Sequence, residues 1–444
     1  MPFATKTYHH SRDFDFPRTL RDRFKEAPPL LKSPLQDSTP PSLHPSEDAF
    51  SKALRYNRAD DARANGLYPY FKAIAKHGGG TVMVEGEEYV LTGSNDYLGL
   101  TQDPRPKAAA HQALEDFGTS CTGSRFLTGT LTIHETLEHE LAEFLGKPRA
   151  LVFAAGFLAC ATSVAALVGR HDLVYFDREN HASLIEGMRM SAAPFGNMRR
   201  FAHNDATDLE RLLQADLGKP GARLVYTEGI FSMSGHIGTV DEVAKVAKKY
   251  GARLICDDAH ATGVLGPHGE GAHVHFQISD DVDLVVGTFS KSFASIGGFI
   301  AGPDEVIDFI QHTARAFIFN AALPGSHAAV ALESLRIMRS ESIHRERMWK
   351  NVNFMRSNLL TLGFDLLGSD SPIIPVLVGE LDLAIRFWRG LWDEKIFTTP
   401  SVPPAVPEGA SIIRTSYNGA HKPEQLEKAL HAFEKVGREL GVIR

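Results

Sequence analysis

Gly287-Thr-Phe-Ser-Lys-Ser-Phe-Ala-Ser-Ile-Gly-Gly298 follows the apolar run Leu284-Val-Val286 and places one lysine, Lys291, among small and aromatic neighbours. Most lysines are solvated surface charges. Lys291 differs because it comes just after a β-like run, and because Gly297-Gly298 lets another stretch of backbone approach closely. Enclosure of that kind lowers an amine's pKa, which is what a lysine that forms a Schiff base needs at neutral pH.

Working outward, the chain alternates short β-like runs with helix-like ones from about residue 95, the pattern of an α/β fold with a mainly parallel sheet. Leu151-Val-Phe153 leads to Gly156, and Leu173-Val-Tyr-Phe176 leads to Asp177 and His181. Leu224-Val-Tyr-Thr-Glu228 leads to Ser232, Arg253-Leu-Ile-Cys256 to Asp257-Asp-Ala-His260, and Leu284–Thr288 to Lys291. Ligands of open α/β sheets bind at the carboxyl ends of strands, so these ends predict one shared site.

The residue types suit a planar, phosphorylated, nitrogen-heterocyclic cofactor. Asp257 ends an apolar run, so its carboxylate can keep a pyridinium nitrogen protonated; Asp258 reads as a cap on the next turn. His260 can donate to a phenolic oxygen. His181, opening a helical stretch, reads either as a cap or as a ring that stacks on the cofactor. Gly156-Phe157 at a strand-to-helix turn offers backbone N–H groups to a phosphate, and the Thr288 hydroxyl can join them.

The whole-chain properties exclude other classes. The 444 residues carry a formal net charge of −7, so nothing points to nucleic acid as a partner. The three cysteines, Cys121, Cys160 and Cys256, are too far apart for a metal pair and odd in number, which fits a reducing, cytoplasmic setting. Met1–His10 lacks the layout of a secretory signal. Ala150–Gly169 has no charge, yet Gly156 divides it, and it reads as a buried strand feeding a buried helix rather than a membrane span. His268, His273 and His275 have no acidic or cysteine partners at ligand spacing; they read as a solvated loop, and no metal is expected.

Four segments are expected: a Pro-rich arm over residues 1–50, an N-terminal segment over 51–94 that packs with the small domain, a large cofactor-binding domain over 95–327, and a small C-terminal domain over 328–444.

Taken together, Ser94-Asn-Asp-Tyr-Leu-Gly-Leu100, Asn180-His-Ala-Ser183, Thr227-Glu-Gly-Ile-Phe-Ser-Met233, Asp257-Asp-Ala-His260 and Thr288-Phe-Ser-Lys291 resemble the α-oxoamine synthases. The resemblance spans roughly residues 60–440. It implies the fold-type-I architecture of pyridoxal-phosphate transferases: a large domain with a mainly parallel sheet, and a smaller C-terminal α+β domain. Gly118–Leu127, Ser290–Ala301 and Phe309–Arg315 look most like the bacterial serine palmitoyltransferase branch, which condenses L-serine with a long-chain acyl-CoA in sphingolipid synthesis.

That resemblance implies pyridoxal 5'-phosphate held as a Schiff base on Lys291, with Asp257 on the pyridine nitrogen and His260 and Ser232 on the phenolic oxygen. It implies His181 stacked on the ring and helping to hold the substrate carboxylate, and Gly156, Phe157 and Thr288 as phosphate contacts. Asn95 lies near the substrate and Arg414 receives its carboxylate. A homodimer with sites at the interface is implied too, and a lipophilic product is compatible with peripheral attachment at the inner membrane face. There are departures. Ser234 and His236 stand where the family often has two acids, and Ala405 in Val402-Pro-Pro-Ala-Val-Pro407 replaces the threonine usual in biotin-pathway members. Relatives that use glycine or alanine are the alternative; an aminotransferase or a non-catalytic protein of the same fold fits these motifs less well.

Overall fold

The computed structural model describes residues 48–444, so nearly all of the Pro-rich arm lies outside the described residues. Seven strands form the central sheet: β1 (Arg149–Phe153), β2 (Leu173–Asp177), β3 (Met198–Phe201), β4 (Arg223–Glu228), β5 (Arg253–Asp257), β6 (Leu284–Thr288) and β7 (Gly298–Gly302). Their order is β1-β7-β6-β5-β4-β2-β3. The pairings from β6 to β3 are parallel, whereas β7 runs antiparallel to both β1 and β6.

Strands β2, β6 and β7 are buried along their whole length, as expected of a sheet covered on both faces, and the side chains of the inner strands alternate between two apolar layers. Val174, Tyr226, Ile255, Val286 and Ile300 face α1 (Gly156–Leu167). Tyr175, Val225, Leu254, Val285 and Phe299 face the opposite layer. The uncharged stretch 150–169 is thus β1 followed by α1, and no helix among the described residues is long and apolar enough to cross a membrane.

The C-terminal part builds a separate three-stranded antiparallel sheet from Ile373–Gly379, Ser411–Ser416 and Thr399–Ser401. Ile396–Phe397 pairs parallel with Val90–Leu91, which ties the hairpin over residues 81–91 to this end of the molecule. Phe364, Phe387 and Phe433 stack edge-on or tilted beneath the helices there.

One expectation needs correction. His273 is not in a solvated loop: it sits fully buried on the short helix Ala272–His275, with Nε2 2.9 Å from the Leu145 carbonyl. Its Nδ1 lies 3.4 Å from Asp258, whose carboxylate also accepts the Ala272 N–H at 3.0 Å. Asp258 therefore braces this loop against β5 rather than capping the next turn. His268 and His275 are exposed.

Between β6 and β7 the Phe299 ring occupies the space above Gly287, where any Cβ would come within 2.2 Å of it. Phe289 and Phe293 close around it with ring centroids at 5.5 and 6.1 Å. Phe299→Ala should cost about 3–5 kcal/mol, read as a lower denaturation midpoint of the cofactor-free protein; a midpoint unchanged from wild type would contradict this packing role.

Candidate functional site

The chain leaves β6 at Thr288 and returns as β7 at Gly298, and this tight loop carries Lys291. Two backbone bonds fix its base, Phe289 N–H to the Gly297 carbonyl at 3.0 Å and Ser295 N–H to the Phe289 carbonyl at 2.9 Å. Gly297 takes φ +114°, open to glycine alone at little cost. The N-terminus of α1 presses into the same corner. A Cβ on Gly156 would lie 2.5 Å from Thr288 Oγ1, and one on Gly298 would lie 2.5 Å from Gly156 Cα. Small residues thereby let the start of a helix, with its unpaired N–H groups, stand beside the Thr288 and Ser290 hydroxyls, which are 2.8 Å apart. The Phe157 side chain points outward, partly exposed.

Next to β6, Asp257 closes β5 almost fully buried. It accepts hydrogen bonds from Tyr226 Oη at 3.2 Å and Ala259 N–H at 2.9 Å. A chain of small contacts runs from there: Tyr226 Oη to Cys160 Sγ at 2.8 Å, Cys160 to Ser183 Oγ at 2.8 Å, and Ser183 to His181 Nδ1 at 2.7 Å. His181 is indeed the N-cap of the helix Ala182–Met190, accepting the Ser183 N–H at 3.2 Å. Its backbone N–H donates to Glu228 Oε1 at 2.6 Å.

The remaining residues come from further away in sequence. His260 Nδ1 lies 2.6 Å from Tyr97 Oη. Arg414, on the C-terminal sheet, donates from Nε to the Ser232 carbonyl at 2.7 Å and from Nη2 to Asn95 Oδ1 at 3.1 Å. All ten expected residues thus fall in one region. Sequence reasoning missed Tyr97, Cys160, Ser183, Tyr226 and Glu228. Tyr97, Ser183 and Glu228 lie inside the quoted motifs and could have been named; Cys160 and Tyr226 read as ordinary core.

Burial dominates the electrostatics. It lowers the Lys291 ammonium to about 8, helped by Arg414 and opposed by Asp257 and Glu228. It pushes the Glu228 carboxyl well up, with the Asp257 charge adding to the effect. Burial also drives His260 well down, reinforced by Lys291 and Arg414, and lowers His181 despite Asp257. Tyr97 is raised to about 12. Burial thus favours neutral imidazoles at His181 and His260, biases Glu228 toward its protonated form, and makes the Lys291 amine give up its proton far more readily than a free lysine.

Residues 87–433 match the family model for class I and II aminotransferases. The serine palmitoyltransferase of Bacteriovorax stolpii is 44% identical, over 87% of this chain and 91% of that protein. The 8-amino-7-oxononanoate synthase of Thermoanaerobacter pseudethanolicus is 37% identical, over 87% and 97%. The solved Sphingomonas wittichii serine palmitoyltransferase superposes with a TM-score of 0.86 at 35% identity, covering 90% of this chain and 100% of that one. A serine palmitoyltransferase solved with pyridoxal phosphate gives a TM-score of 0.85 at 34% identity, covering 89% and 100%.

Pyridoxal phosphate is the cofactor, and the residues present fit it. The corner cleared by Gly156 and Gly298 presents N–H and hydroxyl donors to a phosphate, a buried carboxylate ends the neighbouring strand, and an amine of lowered pKa stands between them. Since the Lys291 pKa is depressed, its nucleophilic neutral form dominates above about pH 8 instead of above 10.5. The rate at which stripped protein recaptures the cofactor should rise with pH and reach half its maximum near 8, followed by stopped-flow absorbance. A half-maximum above pH 10 would show that enclosure does not tune this amine.

Proposed function

We propose that this chain, which belongs to the aminotransferase class I and II family and within it to the pyridoxal-phosphate-dependent α-oxoamine synthases, condenses L-serine with a long-chain acyl-CoA. The new bond joins serine's α-carbon to the thioester carbonyl carbon; CoA leaves as the thiol, the α-carboxylate leaves as carbon dioxide, and a 3-keto sphingoid base results. One observation carries the reading. Arg414 is fixed by hydrogen bonds to the Ser232 carbonyl and Asn95 Oδ1, at the rim of the site that carries Lys291, where it can receive a substrate carboxylate.

Bound pyridoxal phosphate supplies an electron sink for the pair left when a bond at the α-carbon breaks. Asp257, steadied by Tyr226 and Ala259, would keep the pyridine nitrogen protonated. Lys291 would hold the cofactor, then take the α-proton on Nζ. His181, oriented by Ser183, would stack on the ring and, with Arg414, set the carboxylate so that its bond to the α-carbon stands perpendicular to that ring. His260 and Ser232 would contact the phenolic oxygen, while Gly156, Phe157 and Thr288 would hold the phosphate.

A homodimer belongs to the same reading. Segment 123–127 meets segment 316–323, with Ala322 N–H donating to the Gly123 carbonyl at 2.9 Å. Leu127 and Phe319 there are each 77% exposed, apolar surface that a second copy would cover. Cytoplasmic placement with peripheral attachment to the inner membrane face fits the lipophilic product.

Mass spectrometry of the product formed from serine and a mixture of acyl-CoAs tests the assignment. Mass matching a 3-keto sphingoid base is expected; faster CoA release with alanine or glycine would move the chain to another branch of the family. Lys291→Ala should lower turnover by about 10²–10⁴-fold or more and remove the visible band of the attached cofactor. Asp257→Asn should keep cofactor but slow exchange of serine's α-proton by a similar factor. Normal exchange in that variant would remove Asp257 from its role.

A further inference from the structure

The turn that supplies Ser232 runs on to His236, one of the two positions that depart from the family pattern, and His236 belongs to a second polar cluster. At its centre Asp177 ends β2 fully buried. Asp177 Oδ1 accepts the Glu179 N–H at 2.8 Å, and Oδ2 accepts the Asn204 N–H at 2.7 Å. His203 Nδ1, 3.0 Å from Oδ1, completes this set of donors. On the far side, His236 Nε2 lies 2.7 Å from the Leu367 carbonyl, which can only accept.

Each neutral imidazole thus commits its single N–H to an outer partner. The inner nitrogens, His203 Nε2 and His236 Nδ1, then face each other at 2.9 Å with a lone pair apiece. Two lone pairs at that distance need a positive charge between or beside them, either a proton shared as an N–H···N bond or a metal ion. Glu179 Oε2 stands 3.5 Å from His203 Nε2, and all three ligand atoms lie within 4.8 Å of one another. Among the described residues no other trio of His, Cys, Asp or Glu meets this spacing. Outer hydrogen bonds to a carboxylate and a carbonyl are what orient metal-ligating histidines.

We propose that Glu179 Oε2, His203 Nε2 and His236 Nδ1 form a binding site for a divalent first-row transition ion such as Zn²⁺, with water completing the shell. Two imidazoles and one carboxylate suit zinc, and this donor set leaves a coordination position open. The Glu179 side chain is 32% exposed, so an ion can enter from solvent. The consequence is mechanical. Glu179 lies two residues before His181, His236 shares a turn with Ser232, and Leu367, held at φ +55° with its N–H on Asp365, belongs to the C-terminal region. The ion would clip the rim of the cleft to the part of the chain that carries Arg414.

The test uses the full-length holoenzyme freed of metal with a chelator, then titrated with Zn²⁺ by calorimetry and with Co²⁺ by visible absorbance. One ion per chain is expected for wild type and for His275→Ala, an exposed histidine outside the cluster. Glu179→Ala and His236→Ala should each weaken binding at least tenfold and abolish the cobalt ligand-field bands. If His236→Ala does not fold, Glu179→Ala, which alters a partly exposed side chain, still decides. Absence of Zn²⁺ and Co²⁺ binding in wild type would mean that a proton bridges the two rings, and would overturn the proposal. Binding unchanged in both variants would overturn it as well.

Discussion

Everything at the site depends on how close three backbones come at one corner of the sheet. β7 must run antiparallel between β1 and β6, and α1 must begin against Thr288, with no room for a Cβ on Gly156 or Gly298. That crowding makes the β6–β7 loop short and tightly closed, so Lys291 projects from a rigid base rather than a mobile loop. The same crowding delivers the helix start and the Thr288 hydroxyl to one point. A side chain at either glycine would separate the anion-binding corner from the amine.

The electrostatic design follows from that enclosure. A buried lysine left alone would pay a large desolvation penalty as an ammonium, and Asp257 and Glu228 offset only part of it. Burial and the neighbouring Asp257 charge push the Glu228 carboxyl toward its protonated form, while the hydrogen bond it accepts from the His181 N–H pulls the other way, toward the carboxylate. The relay from the exposed His181 inward through Ser183, Cys160 and Tyr226 to Asp257 satisfies the polar atoms of four buried residues. It also joins the residues of two neighbouring strands, so that moving one would disturb the other.

The sequence made the strand ends legible because each ends an apolar run in a polar or glycine residue, a signal carried by adjacent positions. The sheet's interior order was not. Gly298-Phe-Ile-Ala-Gly302 is bounded by glycines, and nothing local says that it forms a strand running antiparallel; contacts with β1 and Phe299's packing on Gly287 decide that. Tyr97, Cys160 and Tyr226 are apolar enough to pass for core, and their polar atoms acquire meaning from partners far along the chain, 31 positions away for Tyr226–Asp257, 66 for Cys160–Tyr226 and 163 for Tyr97–His260. His273 was misread for a related reason: a histidine between glycines and another histidine resembles surface, and burial comes from Asp258 and the Leu145 carbonyl.

His203 and His236, whose inner nitrogens face each other, stand 33 positions apart, so close spacing in the sequence does not reveal them. Their meeting reflects a wider division of labour. In the proposed reading the central sheet supplies the groups that hold and tune the cofactor, whereas Arg414 arrives from the C-terminal sheet and reaches across to Ser232 and Asn95. Substrate orientation would then depend on the registry of these two sheets. Gly235, at φ +71°, packs directly on the Ile373 carbonyl, and His236 holds the Leu367 carbonyl, so both contacts anchor that registry within a few residues of Ser232. In the proposed reading a substitution at position 236 would act on the reaction without touching cofactor or substrate, by changing how firmly Arg414 is set against Lys291.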